Sequence, residues 1–281
     1  MASGGMTHRA MTERILATAD QAGSGAALVD ATDGSATAWP RFARTVRAAA
    51  CGLARRGLAE GDTAAVLVSD AVSAALAVNA IRAVGAAACL IGAGAGPAEI
   101  AARLNACGAR LLITSVPLAG LAAEGADRSR VRQVIAFGEA TGTTPFSSLL
   151  TGMTGGGPAA GECSAERSGR PEEGNDLMDQ HVLAPEGDDG PVPAPGTEAG
   201  TGPGDTRPLT HRDVVVAAPP CGDGQAYTSL LDLTLLTGAT LVAAPVTLVT
   251  AAARVYRGTA AIVPDGTHVP GALPELVFPV S

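Results

Sequence analysis

Residues 54–114 read ARRGLAEGDTAAVLVSDAVSAALAVNAIRAVGAAACLIGAGAGPAEIAARLNACGARLLIT, and their alternation sets the fold class. Thr63–Ser69 is a continuous apolar run of strand length, the mark of a strand buried on both faces. Asp70 stands where a helix N-cap belongs, and the helix it opens reaches about Val84 and stops at Gly85. Ala86–Ile91 is a second buried strand. Pro97–Cys107 is a helix ended by Gly108, and Arg110–Thr114 is a third strand. Strand, helix and strand at this spacing call for right-handed crossovers, hence an α/β fold with a mainly parallel sheet flanked by helices.

The pattern continues outward on both sides. Pro117–Glu124 reads as a short helix and Val131–Phe137 as a fourth strand. Upstream, Ala26–Asp30 and Ala36–Trp39 form a hairpin around the turn pair Asp33-Gly34. Pro40 suits a first helical turn, and the helix that follows carries Phe42, Val46, Ala49, Ala50 and Leu53 on one face before Gly57 closes it. Residues 1–25 are an N-terminal extension and helix, and 26–150 an α/β subdomain.

Past Leu150 the composition shifts to Gly, Pro and acidic residues. Residues 151–207 offer few large apolar side chains to offset the entropy of ordering, so they read as a flexible, disordered linker. Residues 208–281 read as a second, partial α/β subdomain: helices over 212–218 and 227–236, a strand at 240–243, a helix near 247–256, a strand at 260–263 and a short tail.

Composition excludes several chemistries. The 281 residues include 19 basic ones, every one arginine, so no lysine is available for a Schiff base, a general base or a phosphate clamp. The net charge of −8, with no basic stripe, argues against nucleic acid as a partner. The five cysteines form no C-x-x-C pair, and with four scattered histidines no zinc spacing arises, so no metal ligands are assigned. Residues 66–91 come nearest to a membrane span, but Asp70, Asn79 and Arg82 interrupt them. With no apolar signal segment at the N-terminus, no membrane association and a cytoplasmic location are expected.

The stretch 54–114 resembles the N-terminal domain of the adenylate-forming enzymes, which include acyl-CoA synthetases, luciferases and peptide-synthetase adenylation domains. The shared features are Gly57, Gly61-Asp62, the helix ending Ala83-Val84-Gly85, the helix around Glu99–Leu104, and Gly108-Ala109-Arg110. Pro145-Phe146 through Leu149-Leu150 fits the segment after the family's fourth strand. Leu209-Thr210-His211-Arg212-Asp213 and Leu235-Leu236-Thr237-Gly238-Ala239-Thr240-Leu241-Val242 are similar to two later family motifs, in the right order and spacing. Together these cover most of residues 26–150 and 205–272.

The resemblance implies a Ser/Thr/Gly-rich loop, ending in lysine, that holds the β- and γ-phosphates of ATP. Here the corresponding stretch is 197–205. Gly200, Thr201 and Gly202 keep some of its character, and Thr210 follows it as a further cofactor-binding candidate. Asp205 occupies the lysine position, Glu198 adds negative charge, and Pro203 has no N–H to donate. Gly222 and Asp223 stand where the family has an aromatic-His pair in its acyl pocket. No segment for adenine or ribose and no lid lysine is found, so no catalytic residue is assigned. ATP with magnesium is the implied cofactor if the family activity survives; otherwise none is expected. The leading expectation is a truncated, degenerate relative that binds an acyl ligand or a partner protein. The alternatives are half of a split ligase needing a complementing protein, and an interaction module acting through the acidic linker.

Simpler readings compete. Thr210 can be a helix N-cap, with His211 on the surface. Gly92-Ala93-Gly94-Ala95-Gly96 lies between strand and helix but has Pro97 where a dinucleotide fingerprint needs its last glycine. His211-Arg212-Asp213 spells a kinase tripeptide without the kinase lysine or DFG.

Overall fold

The computed structural model describes residues 7–151, 208–220 and 224–264, and the backbone of 275–278. In chain order the first elements are α1 (His8–Gln21), β1 (Ala26–Asp30), β2 (Ala36–Ala38), α2 (Trp39–Arg55), β3 (Thr63–Leu67), α3 (Ala71–Val84) and β4 (Ala87–Ile91). There follow α4 (Pro97–Cys107), β5 (Leu111–Ser115), α5 (Ala119–Asp127), β6 (Gln133–Phe137), β7 (Thr144–Pro145) and α6 (Ser147–Leu150). The C-terminal part supplies β8 (Val214–Ala217), α7 (Gly224–Leu236), β9 (Thr240–Ala243), α8 (Val249–Val255), β10 (Ala260–Pro264) and β11 (Glu275–Phe278).

The strands form two sheets. One is five-stranded and wholly parallel, in the order β4-β3-β5-β6-β7. The other runs β11-β10-β8-β9-β1-β2 and is parallel except for the β1–β2 hairpin. The mainly parallel α/β class expected from the apolar runs is therefore what forms. Along β3, Ala64 and Val66 face one apolar cluster while Ala65 and Leu67 face another, the period of two expected of a strand covered on both sides.

Helices α1, α2, α3 and α7 share one core with the inner faces of both sheets. Helix α8 covers the outer face of the six-stranded sheet, and α4 and α5 that of the five-stranded one. Helix α3 touches strands of both sheets and is buried nearly all round, which its alanines permit because small side chains let neighbouring backbones approach. Its polar residues all have work to do. The Asp70 carboxylate caps the helix by accepting from the Ser73 N–H at 2.7 Å. Asn79 accepts from the Thr12 hydroxyl of α1 at 3.1 Å and donates to Ala75 O at 2.9 Å. Arg82 reaches α7, where Nη1 donates to both oxygens of Asp232 at 2.9 and 2.6 Å. Among the described residues no helix is long and apolar enough to cross a membrane.

Two local expectations are corrected. Residues 214–217 are a strand and not part of a helix over 212–218. Three consecutive β-branched valines favour the extended chain, and β8 is hydrogen-bonded on both sides, by β9 and β10. The tail after 263 also contains a strand, β11, parallel to β10. The hairpin, although next to the five-stranded sheet in sequence, pairs with β9 across the chain, Leu28 opposite Leu241. Residues 152–207, which make up all but the first position of the expected linker, lie outside the described residues.

Candidate functional site

In parallel α/β sheets, ligands bind beyond the carboxyl ends of the strands, where the strand order reverses. The order β4-β3-β5 puts such a reversal between β3 and β5. The hydroxyls of Ser69 and Ser115 meet there at 3.0 Å, and Ser115 Oγ also accepts the Ser69 N–H at 3.1 Å. Ser115 is buried and holds Ser69 at the edge of a cleft of about 330 Å³.

Both sheets contribute to that cleft. Asp30, Thr32 and Asp33 come from the end of β1 and its turn, Ser69 and Asp70 from the end of β3, and Pro219, Ala243, Ala244 and Pro245 from the ends of β8 and β9. The loops beyond the two sheets are tied together nearby, where Ala93 N–H donates to Pro220 O at 3.1 Å.

Three carboxylates stand in the lining, and among the described residues no arginine is part of it. Each is also a local structural device. Asp30 accepts from the Thr32 N–H and Asp33 from the Ser35 N–H, both at 2.8 Å, closing the hairpin turn. The Ser35 N–H holds the Asp33 carboxyl below its ordinary range. Asp70 moves the other way. Burial raises it, the Ser73 N–H opposes that, and the charge of Asp30 raises it further.

The sign of the Asp70 effect is testable. A carboxyl raised in the folded state takes up a proton more readily folded than unfolded, so its penalty is complete at neutral pH. The penalty fades as pH falls through the folded pKa towards the ordinary aspartate value of about 3.9. Asparagine caps helices as well as aspartate. Asp70→Asn is therefore expected to raise the urea midpoint at pH 7 and to lose that advantage at acid pH. A lower midpoint at pH 7 would show that the charge is needed at the helix N-terminus.

Of the candidates read from the sequence, Gly200, Thr201, Gly202 and Asp205 lie outside the described residues, as do Gly222 and Asp223. Thr210 is placed at the opposite end of the six-stranded sheet from the cleft, just before β8. Its N–H and hydroxyl both donate to Asp213 Oδ2, at 2.7 and 2.8 Å, and Asp213 N–H donates back to Thr210 O at 3.0 Å. Thr210–Asp213 and Thr259 line a separate hollow there of about 450 Å³. The two later motifs meet at this end. Asp213 O accepts the Thr240 N–H at 3.0 Å, and Gly238, with φ +74°, turns the chain beside His211.

The earlier motif is likewise architectural. Arg110 Nη1 donates to both oxygens of Asp62 at 2.8 and 2.9 Å at the amino ends of β3 and β5. Burial pushes Asp62 up, but the Ala59 N–H and Arg110 outweigh it and leave the carboxyl lowered. The sequence does not reveal the cleft itself: in it Asp30 and Ser69 figure only as strand ends, Asp33 as a turn residue and Asp70 as a cap. Their position just past buried strands was the available signal.

A layered parallel α/β scaffold with its crevice at the carboxyl ends of the strands belongs to the class of folds that take their ligands there. Comparison with known proteins narrows this. The family model described as AMP-binding enzyme matches residues 16–173, more than half of the chain. The chain belongs to the AMP-binding enzyme family.

Solved structures with the same fold include a benzoate CoA ligase from Burkholderia xenovorans, at 16% identity and TM-score 0.64, covering 92% of this chain and 50% of the ligase. MbtA from Mycobacterium smegmatis aligns at 18% identity and TM-score 0.64, covering 90% and 48%. A long-chain-fatty-acid-CoA ligase from Archaeoglobus fulgidus aligns at 14% identity and TM-score 0.62, covering 90% and 50%. The chain thus spans about half the length of these proteins. No curated protein matches it by sequence.

Proposed function

We propose that this chain is a degenerate member of the AMP-binding family that does not adenylate a carboxylic acid by itself, and that it serves as a binding scaffold for an acyl ligand or a partner protein. The observation that carries this reading is the charge of the crevice, to which the described residues contribute the carboxylates of Asp30, Asp33 and Asp70 and, among them, no cationic side chain. A polyphosphate brought within ~4 Å of one such carboxylate meets a repulsion of ~4 kcal/mol per charge pair at the effective dielectric of a protein surface. The sequence resemblance, which puts Asp205 at the loop's lysine position in a chain without lysine, supports the same reading. The described lining of this crevice thus offers carboxylates and no cation to the phosphates of ATP.

The test is calorimetry with magnesium and ATP on the whole chain and on Asp205→Lys. The expected result for the unaltered chain is no binding tighter than ~1 mM. Micromolar binding, or ATP–pyrophosphate exchange with any carboxylic acid, would overturn the proposal.

The scaffold of both sheets, which superposes on the CoA ligases, leaves room for a second reading. In it the chain is the N-terminal part of a split ligase whose partner supplies the missing cations. Activity that arises only on mixing with a co-purifying protein would select it.

A further inference from the structure

We draw no further inference here: the strongest candidate, the hollow of about 450 Å³ lined by Thr210–Asp213 and Thr259 at the amino end of the six-stranded sheet, carries nothing, because the Thr210 hydroxyl is spent on Asp213 and that of Thr259 on the Val214 backbone, and nothing in the structure shows what the exposed His211 and Arg212 would bind.

Discussion

Asp232→Ala is expected to destabilise the chain by about 3–5 kcal/mol, because it leaves the Arg82 guanidinium in the core without its counter-charge. The side chains of this pair are only 6% and 10% exposed, so water cannot take the place of the carboxylate. Arg82 is already under-served, since its buried Nε has no hydrogen-bond partner.

The pair is not thereby a source of net stability. Burial raises the Asp232 carboxyl even with Arg82 beside it. The ionised form therefore recovers less from its partner than it loses on leaving water. Replacing both partners with apolar residues, Arg82→Met with Asp232→Leu, is expected to be neutral or stabilising by about 1–4 kcal/mol. Urea unfolding followed by circular dichroism checks both arms. A cost below about 1 kcal/mol for Asp232→Ala would mean that Arg82 finds water, and that α3 and α7 are less closely joined than described.

The second large effect is steric. A Cβ on Gly52 of α2 would stand 2.4 Å from Leu149 O and 2.6 Å from Leu149 Cα, both backbone atoms that no rotamer change can move. Gly52→Ala ordinarily gains about 0.5–1 kcal/mol in a helix interior. Here the overlap forces α2 away from α6 and is expected to cost about 1–3 kcal/mol net. The contact also carries Arg55 Nη2 to Leu149 O at 3.3 Å and Arg56 Nη2 to Ser148 Oγ at 2.9 Å, which the shift would lengthen. Thermal unfolding reads the result, and a melting temperature equal to or above that of the unaltered chain would show that α6 moves freely.

Much of the architecture was legible because its signals are local. The continuous apolar run 63–69 announces a strand covered on both faces. Gly85 and Gly108 end their helices at φ +93° and +64°, conformations that glycine adopts without penalty. Residues 214–217, three valines and an alanine, are too few for a period to show itself. A buried strand and a helical turn look alike at that length, and pairing on both sides decides it.

The candidate site was less legible. Thr210, marked by its place in a motif, turns out to fasten a turn with Asp213, while the residues facing the crevice had only capping and turn roles to advertise them. The motifs that carry the family resemblance, at Asp62 and Arg110 and at Asp213 and Thr240, sit at the amino ends of the strands and hold the scaffold together. They identify the fold without locating chemistry.

The sequence alone determined the α/β class, the parallel strand direction and the absence of lysine chemistry, because side-chain burial, helix capping and composition are written residue by residue. Only the tertiary structure decided that the hairpin 26–38 joins strands more than 200 positions away, that Arg82 meets Asp232, and that Asp30, Ser69 and Asp70 face one cleft. Strand pairing and ion pairing are contacts between segments remote in the chain. Their partners are chosen by complementary faces in space, and no local pattern records that choice.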